Sequence, residues 1–312
     1  GVPFLVMGSD LMRYVPPASP EEAWWYMNFI YREERERGYE FVVANYCPGH
    51  FEMETDAGHF EFNLLATGGP DAGRVFENTF SETTGDFQKL CAETVRRLER
   101  IFEKSGLRKE WRHLCWASDS FLVDGKVIAG YHWFGCWGRD SLISLPGLTL
   151  ATRRYGEAKK ILLDIAGRLR RGLVPNWFEE SVADYNCFDA SLLYIYALHK
   201  YLSYTDDIEL AKKLWKVGLE VVENCVKGVH DGIRVDEDGL VWSDGGTWMD
   251  VKINGMAVTP RGGKAVELNA MWYNALRSVG AIGDRIGMIF PYNSLADKVK
   301  NNFIRTFWNE DK

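Results

Sequence analysis

Several features that would quickly place a protein are missing from this 312-residue chain. No run approaches ~18 apolar residues, so no membrane-spanning helix is expected. No charged-then-apolar leader opens the sequence. The six cysteines, at 47, 91, 115, 136, 187 and 225, form no C-x-x-C pair, and the six histidines are likewise scattered. A bound metal is therefore not expected, and no motif calls for a cofactor. No N-x-S/T sequon occurs either. Together these absences favour free thiols in a reducing, cytoplasmic setting. Positive charge is also short: 37 Lys and Arg face 44 Asp and Glu, a net charge of −7. The one dense basic stretch, around Arg32 to Arg37, interleaves both signs. Nucleic acid needs a basic field and is a poor candidate partner, and nothing points to a membrane.

Aromatic residues are plentiful, with 12 Trp, 14 Tyr and 17 Phe. They can fill a core, and they can also form flat platforms on which sugars and bases stack. Residues 1–83 read as β-rich, with runs such as "YEFVVANYC" and "GRVFENTF" broken by Pro-Gly and Gly-Gly-Pro turns. One helical insert is expected in "SPEEAWWYMNFIYREERERG", stopping at Gly38. So few strands suit the end of a β-sandwich better than a whole one. From about residue 84 the apolar period becomes helical, as at Leu90, Val95, Leu98 and Phe102. Further helices are expected near 140–154, 157–171, 187–203, 206–228, 264–283 and 291–309. Trp215 and Trp308, inside these, read as core. Tight turns alternate with long connections at about 107–139, 172–186 and 229–263. That rhythm suggests stacked helical hairpins with function on one face.

The three long connections share a chemistry. The first ends "AGYHWFGCWGRDSLISLPGL", with Trp133, Trp137, Arg139 and Asp140. The second, "GLVPNWFEESVADYNCFDASL", holds Trp177, Asp184 and Asp189. The third is "GGTWMDVKINGMAVTPRGGKAVELNAMWYNAL", with Trp248, Asp250, Lys252, Arg261 and Glu267. Aromatic planes beside carboxylates and cations suit a neutral polyhydroxylated ligand: the plane takes an apolar sugar face, the charges its hydroxyls. Cleaving a glycosidic bond takes two carboxyl groups. Asp250 is the candidate proton donor, with Trp248 beside it to withdraw water; a loop Asp forming an Asx-turn is the plainer alternative. Asp140 either starts a helix or joins Arg139 in gripping adjacent hydroxyls. Asp189 is a first-turn acid or a ligand contact. Glu267, among apolar residues, needs a partner such as Arg261 or Lys264, and either braces its loop or touches ligand.

These segments, in this order over roughly 129–276, resemble the glucosidase domain of glycogen-debranching enzymes, the amylo-α-1,6-glucosidase family. The resemblance implies a mainly α fold, an (α/α)6 toroid of the six-hairpin glycosidase type. The chain would carry its first part (84–312), incomplete at the C-terminus, after the end of a β-sandwich domain (1–83). It implies inverting hydrolysis of glycogen, limit dextrin or a maltooligosaccharide by an Asp acid and a Glu base, without a cofactor. Asp250 falls on the acid position, and Arg139 and Asp140 fall where related enzymes hold the terminal glucose. The base Glu would lie beyond Lys312. The family commonly has Pro where His132 stands and Asp where Cys136 stands. A glucoamylase-like or trehalase-like hydrolase, or a non-catalytic glucan-binding module, are the competing expectations.

Overall fold

The computed structural model describes residues 4–9, 12–16, 24–47, 49–56, 58–59, 62, 64–69, 74, 77, 87–131, 134–179, 182–230 and 232–310. The chain divides into two compact units, Gly1–Arg96 and Arg97–Lys312. The first unit contains three antiparallel pairs nested one inside another. Strand β1 (Phe4–Ser9) pairs with β6 (Leu64–Gly69), β2 (Arg13–Val15) with β5 (His50–Glu52), and β3 (Trp24–Ile30) with β4 (Val42–Cys47). The only helix between β3 and β4 is the short α1 (Arg32–Glu36). Of the helix expected across 19–38, residues 19–23 lie outside the described residues, only Arg32–Glu36 is helix and Trp24–Ile30 is strand. Its aromatic and β-branched content, "WWYMNFI", suits a pleated surface better than a helical one. A bulge between Tyr26 and Phe29 absorbs Asn28, whose φ of 58° asparagine tolerates.

The second unit opens within α2 (Phe87–Ser105) and is mainly helical. The helices α3 (Arg112–Ser120), α4 (Gly138–Leu145), α5 (Tyr155–Gly167), α6 (Asp189–Thr205), α7 (Ile208–Val226), α8 (Val266–Ile286) and α9 (Asn293–Phe307) follow. Helix α3 lies where a long connection was expected. Its nine residues bury only Cys115 and Ser118, too few to show a period in sequence. Two turns of hairpin, β7 (Leu122–Val123) with β8 (Lys126–Gly130) and then β9 (Phe134–Trp137), are joined by β10 (Trp177–Phe178) and β11 (Ala183–Asp184). The five form one antiparallel sheet in the order β11-β10-β9-β8-β7.

Helix α6 is the hub of the core and packs against α4, α5, α7 and α8. Its sequence is apolar nearly all round, as a fully enclosed helix requires, and Tyr194, Ile195 and Leu198 are buried. The turn to α7 is two residues long. Asp206 takes a left-handed φ of 54°, and the Asp207 carboxylate caps α7 by accepting the Leu210 N–H at 3.1 Å. Lys159 reaches the same carboxylate at 2.8 Å. Trp215 is core, as expected, donating its indole N–H to the Val279 carbonyl at 2.9 Å. Trp308 is not core: it follows the last turn of α9 in extended backbone and is 70% exposed. Among the described residues no helix is long and apolar enough to cross a membrane.

The long connection after α7 is organised by strands β12 (Ile233–Val235), β13 (Val241–Asp244) and β16 (Gly262–Gly263), with a separate hairpin of β14 (Lys252–Ile253) and β15 (Met256–Ala257). Helix α8 pins β13 from beneath. Asn269, fully buried, accepts the Val241 N–H at 2.7 Å and donates to the Val241 and Ala265 carbonyls at 3.0 Å each. Trp272 donates to the Gly239 carbonyl at 3.2 Å. Truncating Asn269 would strand both backbone groups of Val241 in the interior. Asn269→Ala is therefore expected to cost about 2–4 kcal/mol, read as a lower urea midpoint at unchanged slope.

Candidate functional site

The first turn of α4 is placed by a close backbone approach. The Gly138 N–H donates to the Asn176 carbonyl at 2.8 Å, and a Cβ at 138 would stand 2.0 Å from the Pro175 carbonyl oxygen. Only glycine fits there. The segment beyond is fixed again where Ser191 of α6 accepts the Val174 N–H at 2.9 Å. On the third connection, the Gly246 carbonyl accepts the Phe188 N–H at 2.9 Å and that of Asp189 at 3.4 Å. Gly246 has a φ of 67°, which its lack of a Cβ permits. The three long connections are thus tied to one another through backbone before any side chain is considered.

Arg139 stands where they meet. Its Nε donates to Asp189 Oδ2 at 2.7 Å and its Nη2 to the Thr247 carbonyl at 3.0 Å. Both Nη atoms also lie 3.3 Å from Asp250 Oδ2. Asn176 adds a further donor, with Nδ2 at 3.2 Å from the same oxygen and 2.9 Å from Asn186 Oδ1. Four of the five guanidinium N–H groups are accounted for in this way. Burial works against the Arg139 charge. The Asp189 carboxylate, with Cys187 and Asp250 behind it, outweighs that and holds the group above the ordinary arginine range.

The expected site residues fall into distinct places. Asp250 is partly shielded, with 28% of its side chain exposed, and shares Arg139 with Asp189. Asp189 is the first residue of α6 and is buried; its second oxygen accepts the Ala190 N–H at 2.7 Å. It therefore sits behind the guanidinium, bonded through both oxygens. Asp140 is in the first turn of α4 and lines an open cleft of about 280 Å³ with Phe121, Ile128, Ile143 and Leu148 among its walls. Burial pushes its carboxyl above the usual range. Its own N–H and Arg139 pull it back, and the charges of Asp189 and Asp250 push it further up.

Trp137 and Trp177 are direct cross-strand partners on β9 and β10, both half-buried, and Asp184 stands opposite Trp177 on β11. This row shares one face of the sheet. Trp248 is 57% exposed: the backbone turns it outward between buried Thr247 and Asp250. The Asp250 carboxylate is bonded by Arg139 and Asn176. Lys252 is exposed on the β14–β15 hairpin. Arg261 and Glu267 are ion-paired with each other, while Lys264 turns to Asp236 at 3.1 Å and Asp238 at 2.7 Å. Arg261 Nε and Glu267 Oε1 are buried without a hydrogen-bond partner among the described residues. Trp133, with His132, lies outside the described residues.

Asn176 and Thr247 were missed by reasoning from sequence. Both flank aromatic residues that drew attention, in "PNW" and "TWMD", and both are 1% exposed. A small polar residue immediately before a Trp in a loop was the available signal.

A family profile described as Amylo-alpha-1,6-glucosidase matches residues 116–312, well over half of the chain. The chain belongs to that family, one of glycoside hydrolases. It is 26% identical over 235 residues to a glycogen debranching enzyme of Saccharomyces cerevisiae, which covers 56% of this chain and 15% of that protein. The present chain therefore spans a small part of the relative's length. Among solved structures, a GH78 family rhamnosidase of Bacillus sp. GL1 aligns over 69% of this chain and 21% of its own, at 15% identity and a TM-score of 0.47. That likeness is too slight to carry an argument.

The upward shift of Asp140 has a consequence for stability. A carboxyl whose folded value exceeds its unfolded one favours folding at low pH, and loses that contribution as pH rises through the folded value. Asp140→Asn, which cannot ionise, should therefore be more stable than the parent at pH 7. The difference should shrink as pH falls toward ~4, the ordinary aspartate range. Urea midpoints at the two pH values measure this; a pH-independent difference would contradict it.

Proposed function

We propose that this chain supplies the proton-donating side of an inverting glucosidase that removes α-1,6-linked glucose from glycogen or a limit dextrin. What carries the reading is Asp250: three separate connections bring one partly shielded carboxyl onto Arg139, with one of its oxygens fully engaged by N–H donors. In the reaction Asp250 gives its proton to the glycosidic oxygen as that bond breaks. Water adds to the anomeric carbon from the opposite face, so the released glucose is the β anomer. Protonating the leaving oxygen avoids expelling an alkoxide. No residue described above takes the part of the base. Glu267 is a poor choice for it, since its carboxylate is committed to Arg261.

The terminal sugar would be held by Asp140, which lines an open cleft, and by the remaining N–H of Arg139, with Asp189 bracing the guanidinium. Trp137 and Trp177 would offer a platform for a glucose face, joined by Trp248 and Trp133. Lys252, Arg261 and Glu267 would form the outer rim. We further assign the helices from residue 84 onward to part of an (α/α)6 toroid and residues 1–83 to the end of a β-sandwich domain. The family match and the helical hub support the first of these. The substrate chemistry requires no cofactor, and a cytoplasmic setting accords with a glucan store as partner.

In the full-length protein, Asp250→Asn should lower kcat on an isomaltosyl-branched dextrin by about 10³-fold or more, with little change in KM. Polarimetry or proton NMR of the unmodified protein should show β-glucose appearing first. Equal rates on linear maltooligosaccharides would move the assignment to an α-1,4 enzyme, and full activity in Asp250→Asn would remove Asp250 from its role.

A further inference from the structure

We propose that Asn176 is a positioning residue for the proton donor, selecting which oxygen of Asp250 carries the proton. The inference rests on the glucosidase reading of Asp250 and adds a residue to it. Asn176 is 1% exposed, and its backbone is held on both sides: its N–H donates to the Asp184 carbonyl at 2.7 Å and its carbonyl accepts from Gly138 at 2.8 Å. The direction of its amide is forced. Asp250 Oδ2, a carboxylate acceptor at 3.2 Å, requires the amino end to face it, and Asn186 Oδ1 lies 2.9 Å from the same nitrogen. The Asn176 side-chain oxygen is consequently buried without a donor among the described residues. An interior oxygen left unpaired is costly, and its presence marks a constraint other than stability.

The effect falls on Asp250. Arg139 Nη1, Arg139 Nη2 and Asn176 Nδ2 all converge on Oδ2. An oxygen ringed by three N–H donors has no room for the acid's own hydrogen, so the proton resides on Oδ1. The transfer then runs from Oδ1 to the glycosidic oxygen. A new O–H bond forms, the anomeric C–O bond breaks with its electron pair going to the leaving oxygen, and water supplies hydroxyl to the carbon while losing a proton to solvent or a base. The carboxylate left behind carries its charge against the three donors already in place, with no reorganisation needed.

The test compares two substrates in the full-length protein: an isomaltosyl-branched dextrin, whose leaving group needs protonation, and α-glucosyl fluoride, whose leaving group does not. Asn176→Ala should lose about 30-fold in kcat on the dextrin with KM unchanged, yet stay within about threefold on the fluoride. Asn186→Ala removes the acceptor that aims the amide, lies at an exposed position, and should show the same selectivity more weakly, which keeps the test open if Asn176→Ala does not fold. Equal losses on both substrates, a change in KM alone, or no change in either variant would overturn the proposal while leaving the glucosidase reading intact. Unmodified protein that releases glucose from neither substrate would overturn both.

Discussion

The arrangement depends on one guanidinium holding three separate stretches of chain. Arg139 meets Asp189 at the start of α6 and both Thr247 and Asp250 on the connection before α8. A buried charge of this kind is stable only when its lone partners and protons are all engaged, and a flat fork of N–H donors can engage several at once. A lysine ammonium at 139 could not reach a carboxylate on one side and a carbonyl and second carboxylate on the other. Losing the guanidinium would leave Asp189 charged and enclosed, a cost of about 3–5 kcal/mol for a buried pair broken on one side. The site and the stability of this region therefore share a single contact.

That contact needs a rigid frame, and the frame is built from small and buried polar residues. Gly138 allows the backbone at 175–176 to come close, Ser191 fixes the segment just before it, and Asn269 holds β13 in place ahead of the Asp250 turn. None of the three touches the Arg139 cluster through its own side chain. Each hydrogen-bonds or admits backbone that carries a residue of the cluster. Helices α6 and α8, packed on each other, supply the floor from which Ser191 and Asn269 reach upward. Loops that hold function are usually mobile, and here they are anchored at the points closest to the charges.

What could be read from sequence follows from which forces are local. Helix period and turn chemistry located α6, α7, α8 and α9 closely, because an apolar stripe repeats within each one. The same reasoning placed a helix over Trp24–Ile30, where pairing with Val42–Cys47 decides for strand. It passed over α3, whose nine residues bury too little to show a pattern. At the site, Arg139, Asp189 and Asp250 stood out as charges beside aromatics, and the fold brings them together. Asn176 and Thr247 did not stand out, since their importance lies in contacts with positions 74 and 108 residues away. Resemblance to a known family strengthened the choice of Asp250, which loop chemistry had already put forward.

The cluster also sorts three neighbouring aspartates without any metal-like centre to separate them. Asp189 is enclosed and bonded at both oxygens, with Arg139 as its charged partner. Asp140 has the opposite surroundings: partial burial without a cation bonded to it, beside a cleft, and pushed upward by that burial and by its two acidic neighbours. Asp250 lies between, tethered through one oxygen with the other left over. One cation thus bonds an enclosed carboxylate and a carboxylate that is proposed to react, while a third lines the neighbouring cleft. For an uncharged sugar this division is economical. The ligand brings no charge to be neutralised, so every ionic interaction can be spent within the protein on aiming groups, and contact with the sugar is left to single hydrogen bonds and indole faces.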